Sequence, residues 1–432
     1  MGLIPSKVYC DVKIFSNSMI EKRNLQELEK EKAFSCVKCG LCRSVCPAFD
    51  VLQKEPAVAR GKMALIEALK EKKLKEEPKI AHLLSTCLLC GKCQANCPNM
   101  VNYVDVMLAA RAQLAQETGL PLTKKFLLEL FHPNWLMQFG MRLARIAQKI
   151  VLRKVPKESG LRLRFPLPFI GRNRLVPQVA KRFLISQYSG EIKAPHEKGK
   201  VGLFIGCAIN YLLPEIGSSL IELLLQAGYT VVIPPQQGCC GLPATYNGVV
   251  KLADKLRHNN IEAFKETDVD TIITACATCG GALKNYYQFT NRLGKPIKVL
   301  DMSEFLVAHK NDFKFKSRTD ERITYHDPCH LRNIQNISQP PRELIKDAAG
   351  ESFVDMEGAD LCCGFGGLFS VFQPEISQAI GDKKAEYIKK SGARLVLTGC
   401  PGCVLYLRDG LARNNSDVRV RHLAEFLIES AT

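Results

Sequence analysis

No stretch of this 432-residue chain approaches the roughly 18 consecutive apolar residues of a membrane-spanning helix, so a subunit that crosses a bilayer on its helices is excluded. The first residues, MGLIPSKVYCDVKIF, lack a basic run followed by an apolar one and carry no twin arginine. No export signal is expected, and the chain is expected in the cytoplasm, a reducing compartment. Also missing are a G-x-G-x-x-G after a strand, a P-loop and a serine or cysteine triad signature. The GFGGLF run after Cys363 lacks the third glycine of a dinucleotide loop. These absences leave no visible flavin or nicotinamide site, so hydride chemistry would have to begin on another subunit. What remains is ordinary: 46% apolar and 24% charged residues make a globular chain, and its length allows two to four domains at roughly 150 residues each.

Acidic residues are scarce in one place. Residues 121–200 hold 17 basic and 4 acidic side chains, whereas 201–432 hold 25 and 26. The net charge of +17 is therefore concentrated in a central segment. It begins as an amphipathic helical stretch, FLLELFHPNWLMQFGMRLARIAQKIVLRKV, broken by Pro133, and continues as a proline- and arginine-rich tract through Pro166, Pro168 and Pro177. One reading is a bridge that packs its apolar face on its neighbours. The other is an interfacial surface, with Trp135 and Leu136 beside Arg142, Arg145, Lys149, Arg153 and Lys154. Such a surface would meet an acidic partner subunit, or anionic lipid on the inner face of the cytoplasmic membrane. No recognition motif accompanies the charge, which argues against nucleic acid.

Cysteine, by contrast, is abundant, with 19 residues. In a reducing compartment spaced cysteines are metal ligands or redox groups rather than a disulfide framework. Two groups read C-x2-C-x2-C-x3-C-P: Cys36, Cys39, Cys42 and Cys46 before Pro47, and Cys87, Cys90, Cys93 and Cys97 before Pro98. Three thiolates in a tight loop can cap three irons of a 4Fe–4S cubane, while the fourth, carried onto the adjoining helix, reaches the other cluster. The expected ligand sets are Cys36, Cys39, Cys42 and Cys97 for one cubane, and Cys87, Cys90, Cys93 and Cys46 for the other. A zinc pair fits badly, because structural zinc uses two separated C-x2-C pairs. Helices are expected at 21–34, at 59–77 up to Pro78, and from Val104 to Gly119, so this part is a small, mostly helical unit.

Residues 201–432 repeat internally with a period near 120. The first copy runs KVGLFIGC, VVIPPQQGCCG, TIITACATC, VLDMSEFL, and the second RITYHDPC, DLCCGFGG, RLVLTGCPGC, VRHLAEFL. Strand-like runs alternate with helical ones in each, which predicts two α/β units with parallel sheets related by a pseudo-twofold, cysteines at the carboxyl ends of strands. Cys207, Cys239, Cys240, Cys276 and Cys279 form the first set, and Cys329, Cys362, Cys363, Cys400 and Cys403 the second. Adjacent cysteines bridge only with strain, and five converging thiolates suit iron–sulfur chemistry or zinc. These 18 cysteines leave only Cys10, read as an incidental thiol. His326 and His330 flank Cys329 and are candidates for tuning a cluster or for a structural hydrogen bond; Asp327 reads as a turn or cap residue.

The doubled C-x31–32-CCG-x34–35-C-x2-C pattern resembles the cysteine-rich CCG domain family, best known from heterodisulfide reductase catalytic subunits. A two-cluster ferredoxin domain followed by two CCG domains is similar to the iron–sulfur subunits of glycolate oxidase and D-lactate dehydrogenases and to the heterodisulfide reductase fusion subunit. Anaerobic glycerol-3-phosphate dehydrogenase has a subunit of similar layout. CVKCGLCRSVCP, ARGKMALI, GCCG and HLAEFL resemble phrases of the glycolate oxidase subunit. Glycolate oxidase subunits can lack cysteines of the C-x2-C pairs, whereas this chain keeps all ten CCG-domain cysteines. The resemblance implies four segments: a ferredoxin-like domain (1–120), a basic bridge (121–200), and CCG domains at 201–310 and 320–432. It implies one or two non-cubane 4Fe–4S clusters in the CCG domains, with zinc as the alternative. It also implies an FAD-binding dehydrogenase partner that oxidises glycolate or D-lactate and passes electrons to this chain, towards quinone or a further electron-transfer or membrane partner. The competing expectation is a heterodisulfide reductase-like enzyme that cleaves a disulfide at a CCG-domain cluster.

Overall fold

The computed structural model describes residues 35–75, 77–129, 134–154, 161–163, 175–316 and 320–431. The expected helix at 21–34 and Cys10 lie outside them. The chain opens with helices α1 (Cys42–Val45), α2 (Pro47–Leu52), α3 (Ala59–Lys70), α4 (Pro78–Ser85), α5 (Lys92–Ala95) and α6 (Tyr103–Glu117). The apolar faces of α3, α4 and α6 meet in one small core around Met63, Ile66, Leu84, Val106 and Met107, while Ala48 of α2 packs with Phe369 and Ile376. Prolines at the first helical position start α2 and α4, where the missing N–H costs nothing. Helix α3 stops at Lys70, seven residues before the end expected from sequence. In the run after it, EKKLK, the one apolar residue, Leu74, stays exposed, and Lys72 takes a left-handed conformation that breaks the helical ladder.

Helices α7 (Leu122–Glu129) and α8 (Asn134–Val151) follow, separated at the segment that contains Pro133, and a short hairpin pairs β1 (Leu152–Lys154) with β2 (Leu161–Leu163). After α9 (Leu184–Gln187) comes the first copy of the repeat. Its sheet contains β3 (Gly190–Ile192), β4 (Gly199–Leu203), β5 (Tyr229–Ile233), β6 (Thr271–Thr274) and β7 (Lys298–Asp301), in the order β3-β5-β4-β6-β7. All neighbours are parallel except the edge strand β3. Between the strands lie α10 (Gly206–Tyr211), α11 (Pro214–Gln226), α12 (Leu242–Tyr246), α13 (Val250–Lys265) and α14 (Ala277–Tyr286), and α15 (Met302–Ala308) follows β7.

The second copy repeats this order with a smaller sheet: β8 (Ile323–His326), β9 (Leu395–Thr398) and β10 (Arg419–His422), all parallel. The counterpart of β5 shrinks to a single parallel bridge between Ile323 and Phe353. The pseudo-twofold is therefore looser than the sequence offsets suggest: the expected strand pattern holds in the centre and fails at the edge. Its helices are α16 (Gln339–Ala349), α17 (Phe369–Phe372), α18 (Pro374–Lys390), α19 (Pro401–Arg413) and α20 (Leu423–Ser430), with a π-helical turn at His330–Ile334. The last strand of each copy runs into its helix through the same capping box, Asp301 with Glu304 and His422 with Glu425.

One apolar core serves both copies, running from Val201 and Leu224 through Tyr325 and Ile345 to Leu427. Helix α11 of the first packs on α20 of the second, and α15 on α16. The N-terminal unit rests on both: α6 meets α12, while α2 meets α18 and α5 meets the π-helical turn. Among the described residues no helix is long and apolar enough to cross a membrane.

Candidate metal centres

The two N-terminal cysteine loops fold alike. In each, the second residue after the first cysteine (Lys38, Leu89) and the fourth (Gly40, Gly91) are left-handed, at φ values of 56° and 90°, and 56° and 72°. That pair of turns coils the chain so that the thiols face inward, and glycine takes the position where a side chain would collide: a Cβ on Gly91 would lie 2.6 Å from Ile334. Cys36, Cys39, Cys42, Cys93 and Cys97 line one cavity. Cys46, Cys87, Cys90 and Cys93 line a second. The chain thus carries the fourth cysteine of each group to the other loop. Cys46 caps α2, its sulfur accepting the Phe49 N–H at 3.4 Å, which fixes it beside the Cys87 loop.

The surroundings suit anionic sulfur. Lys62 is fully buried, bonded to the Pro56 carbonyl and to Thr86 Oγ1 at 2.9 Å, and has Cys87 and Cys46 as its nearest anionic neighbours. Burial pulls its ammonium down to about 8. Buried Arg111 donates to the carbonyls of Cys87 (2.6 Å), Leu84 (2.8 Å) and Tyr246 (2.8 Å), and its Nε has no partner. Among the described residues no carboxylate pairs with either. Two buried cations beside protonated thiols would be a liability, and beside four metal-bound thiolates they are counter-charges. The burial that pushes the Cys46 thiol up to about 11 acts against a bare thiolate and leaves a metal to replace the proton. The residues present fit the clusters that their spacing implies. Sequence reasoning missed Lys62 and Arg111; the signal was a lysine on the same helical face as Met63 and Ile66.

In the repeat, every cysteine follows a strand or sits in the glycine turn that leads to a helix. Cys276 ends the β6 turn and caps α14, accepting the Cys279 N–H at 3.4 Å; Cys400 stands at the matching place before α19. The ten thiols follow one another in a single file of electrostatic neighbours, Cys207, Cys239, Cys240, Cys279, Cys276, Cys400, Cys403, Cys363, Cys362, Cys329. Cys276 and Cys400 join the halves across the pseudo-twofold. Cys363 and Cys403 are 3.6 Å apart. Cys240, Cys363 and Cys400, whose thiolates both neighbouring thiols stabilise, are held below the ordinary thiol range, Cys363 at about 5, while the thiols between them are raised. At its last member the file meets the N-terminal unit: Cys90 and Cys329 lie in one apolar cluster with Cys362, and Asn333 Nδ2 donates to the Cys90 carbonyl at 3.0 Å. None of the eighteen described cysteines forms a disulfide.

His330 bridges the copies, its Nδ1 3.5 Å from Cys329 Sγ and its Nε2 2.7 Å from the hydroxyl of Tyr246. His326 is fully buried, both ring nitrogens lack a partner, and a ring nitrogen lies within 4.8 Å of the Cys363 and Cys403 sulfurs. Burial holds its imidazole neutral, down at about 3. Asp327 is not the turn or cap residue its sequence setting suggests. It is buried and gripped by Arg342 in a fork, at 2.7 and 2.8 Å, with Arg332 at 3.0 Å. Arg342 also reaches Asp355 at 2.9 and 3.0 Å. The Arg342 partner, 15 residues downstream, is invisible in the motif HDPCH.

A separate cavity of about 500 Å³ lies beside Cys87, walled by Leu114, Phe369 and Phe372 and lined by Arg111 and Lys124 but by no carboxylate. Lys124 sits over the Phe372 ring at 5.4 Å, and burial pulls it down to about 8.

Known proteins match both parts. A model of a cysteine-rich domain matches residues 201–284 and again 323–408, and a model of a 4Fe-4S dicluster domain matches residues 32–101. The chain is similar to the probable glycolate oxidase iron-sulfur subunit of Bacillus subtilis, at 30% identity over 95% of this chain and 97% of that one. It is similar to one of the subunits of the fumarate reductase (CoM/CoB) of Methanothermobacter marburgensis, at 32% identity over 94% of this chain and 75% of that one. Lactate utilization protein A of Geobacillus kaustophilus is 32% identical over 53% of this chain and 98% of its own length.

Proposed function

The chain belongs to the family of iron–sulfur subunits built from a 4Fe-4S dicluster domain and two cysteine-rich domains, and from that premise we propose that it is the electron-transfer subunit of an FAD-dependent 2-hydroxy-acid dehydrogenase, of the glycolate or D-lactate type. A redox role as an iron–sulfur subunit of an oxidoreductase is common to its relatives. The finer reading rests on the glycolate oxidase and lactate utilization names among them. These relatives do not favour the disulfide-cleaving alternative.

One observation carries the proposal: the cysteines form an unbroken succession, from exposed Cys39 through the two N-terminal cavities to Cys90, across to Cys329 and Cys362, and along the file to Cys207. A hydrolytic or single-site enzyme has no use for such a series. In this reading Cys36, Cys39, Cys42 and Cys97 hold one cubane and Cys46, Cys87, Cys90 and Cys93 the other. The two sets of five hold non-cubane clusters. Bound 4Fe–4S clusters supply one-electron chemistry over a potential range of roughly −700 to +450 mV. The chain's own residues do the rest: Lys62 and Arg111 balance thiolate charge, the left-handed turns orient the sulfurs, and the apolar layer around Leu88 and Phe369 keeps water from the junction. The substrate would bind to the flavoprotein.

The test uses the reconstituted complex with its FAD-binding partner. Cys42→Ser and Cys93→Ser should each abolish hydroxy-acid-dependent quinone reduction, while the partner by itself still reduces an artificial dye. Unchanged quinone reduction in both variants would contradict the proposal.

A further inference from the structure

Helix α8 has two apolar faces, and only one is covered. Met137, Met141 and Ala144 pack against Val179, Phe183 and Tyr211, and Gln148 on the same line bonds the Pro177 carbonyl and the Val179 N–H. Phe139, Leu143, Ile146 and Ile150 repeat that 4-3-4 spacing two residues out of step, and each is more than half exposed. Two residues at about 100° each place the second line on the opposite side of the helix, a stripe about 16 Å long. Soluble monomers scatter exposed apolar residues singly; a row of four large ones marks a contact surface. Exposed Arg142 and Lys149 flank the stripe, Arg145 lies further round and donates to the Lys181 carbonyl, and α8 holds no acidic residue at all.

We propose that the Phe139–Ile150 face of α8 is the docking surface of this chain for an anionic lipid bilayer, lying in the plane of the interface with its apolar stripe immersed and Arg142 and Lys149 at headgroup level. The charge decides the occupant. A protein partner or a second copy would have to meet a cationic flank with matching acids, and the α8 segment of a second copy has none to offer. A bilayer surface supplies negative charge and apolar depth together. The covered face gives the docking a consequence: the side chains that seat α8, Phe183 and Tyr211, also pack against Cys207, the end of the thiol file farthest from Cys90. Only this consequence rests on the electron-transfer reading. The lipid contact stands or falls by itself.

The test is co-sedimentation of the whole reconstituted chain with vesicles of phosphatidylcholine alone or mixed with phosphatidylglycerol, at low and high salt. Emission of the chain's one tryptophan, Trp135 at the start of α8, gives a second readout. Binding to the anionic vesicles should exceed binding to the neutral ones at least tenfold and should weaken with salt, with a blue shift of emission. Arg142→Gln with Lys149→Gln should lower it about 30-fold, at roughly fivefold for each basic residue near the surface. Leu143→Glu with Ile146→Glu should reduce it to background with iron content unchanged, since both side chains face solvent. Equal binding to both vesicles, binding to neither, or unaltered binding by the Glu variant would overturn the proposal. So would a wild-type dimer that this variant dissociates, which would give the stripe to a second copy.

Discussion

The two copies of the repeat carry the same five cysteines in different electrostatic settings. Where the second copy has His326, Asp327 and His330 around Cys329, the first has Phe204, Ile205 and Ala208 around Cys207, each 122 residues earlier. Arg342, which forks onto Asp327, has buried Leu220 as its counterpart. Lys384 lies 124 residues after Asn260, the same offset as Cys400 after Cys276. Asn260 is a neutral amide that bonds the Gly238 N–H and the Cys239 carbonyl, while Lys384 brings a buried ammonium to the carbonyls of Gly358 and Ala359. The first copy holds its cysteine turns with Gln237, Asn260 and Tyr287, and the second with ions. Duplication kept the ligands and let the shell diverge. The charged shell is found in the copy whose Cys329 adjoins Cys90 of the N-terminal unit, where a potential must be matched to an incoming or outgoing electron.

The strongest way to break this comparison is to remove its ions. Asp327→Ala leaves buried Arg342 with three of its five hydrogen bonds, and should cost about 3–5 kcal/mol in anaerobic denaturation. Gln237→Met in the first copy removes neutral bonds to Ile205 N–H and the Leu203 carbonyl, and should cost about 1–3 kcal/mol. Equal losses would mean that the charges add nothing. Next in size, Tyr246→Phe orphans His330 Nε2 and should cost about 1–3 kcal/mol, with the altered spectrum confined to the second copy although Tyr246 belongs to the first. Lys384→Met should lower the reduction potential of the second copy's cluster by on the order of 50 mV, and Asn260→Leu should move the first by much less, in an EPR-monitored titration. Matching shifts would erase the distinction.

The smallest effect is one of sign. Burial raises the Asp301 carboxyl to about 6, so its contribution to stability is present below the unfolded value and is lost as pH rises through 6. Burial lowers His422, whose Nδ1 must stay unprotonated to accept the Ala424 N–H at 3.1 Å. Its contribution is present above about 6.5 and is lost as pH falls. Acidification from neutrality should therefore protect the amide hydrogens at the start of α15 and loosen those at the start of α20. The same direction of change at both caps in hydrogen exchange would contradict the assignment.

Much of this was legible because cysteine spacing is itself chemistry. C-x2-C-x2-C-x3-C-P fixes a loop and a following helix, and the structure seats Cys46 and Cys97 with the opposite loops. The strands at 229–233, 271–274 and 395–398 follow from apolar runs rich in β-branched residues between turns. The shells were not legible, since they depend on residues that meet only in the fold. Arg342 reaches back 15 residues to Asp327, and Arg111 reaches from α6 to the Cys87 carbonyl. The missing edge strand near Phe353 was hidden for a similar reason: the repeat's cysteine offsets survive changes in segments that bear no ligand.

The account's central claim is that both N-terminal cavities and the thiol file of the repeat hold iron–sulfur clusters. Iron and zinc per chain, measured after anaerobic reconstitution, test it most directly. The account predicts about eight irons from the N-terminal pair, rising to about sixteen when both copies are filled, with no stoichiometric zinc. Fewer than about six irons, with zinc bound in their place, would contradict it.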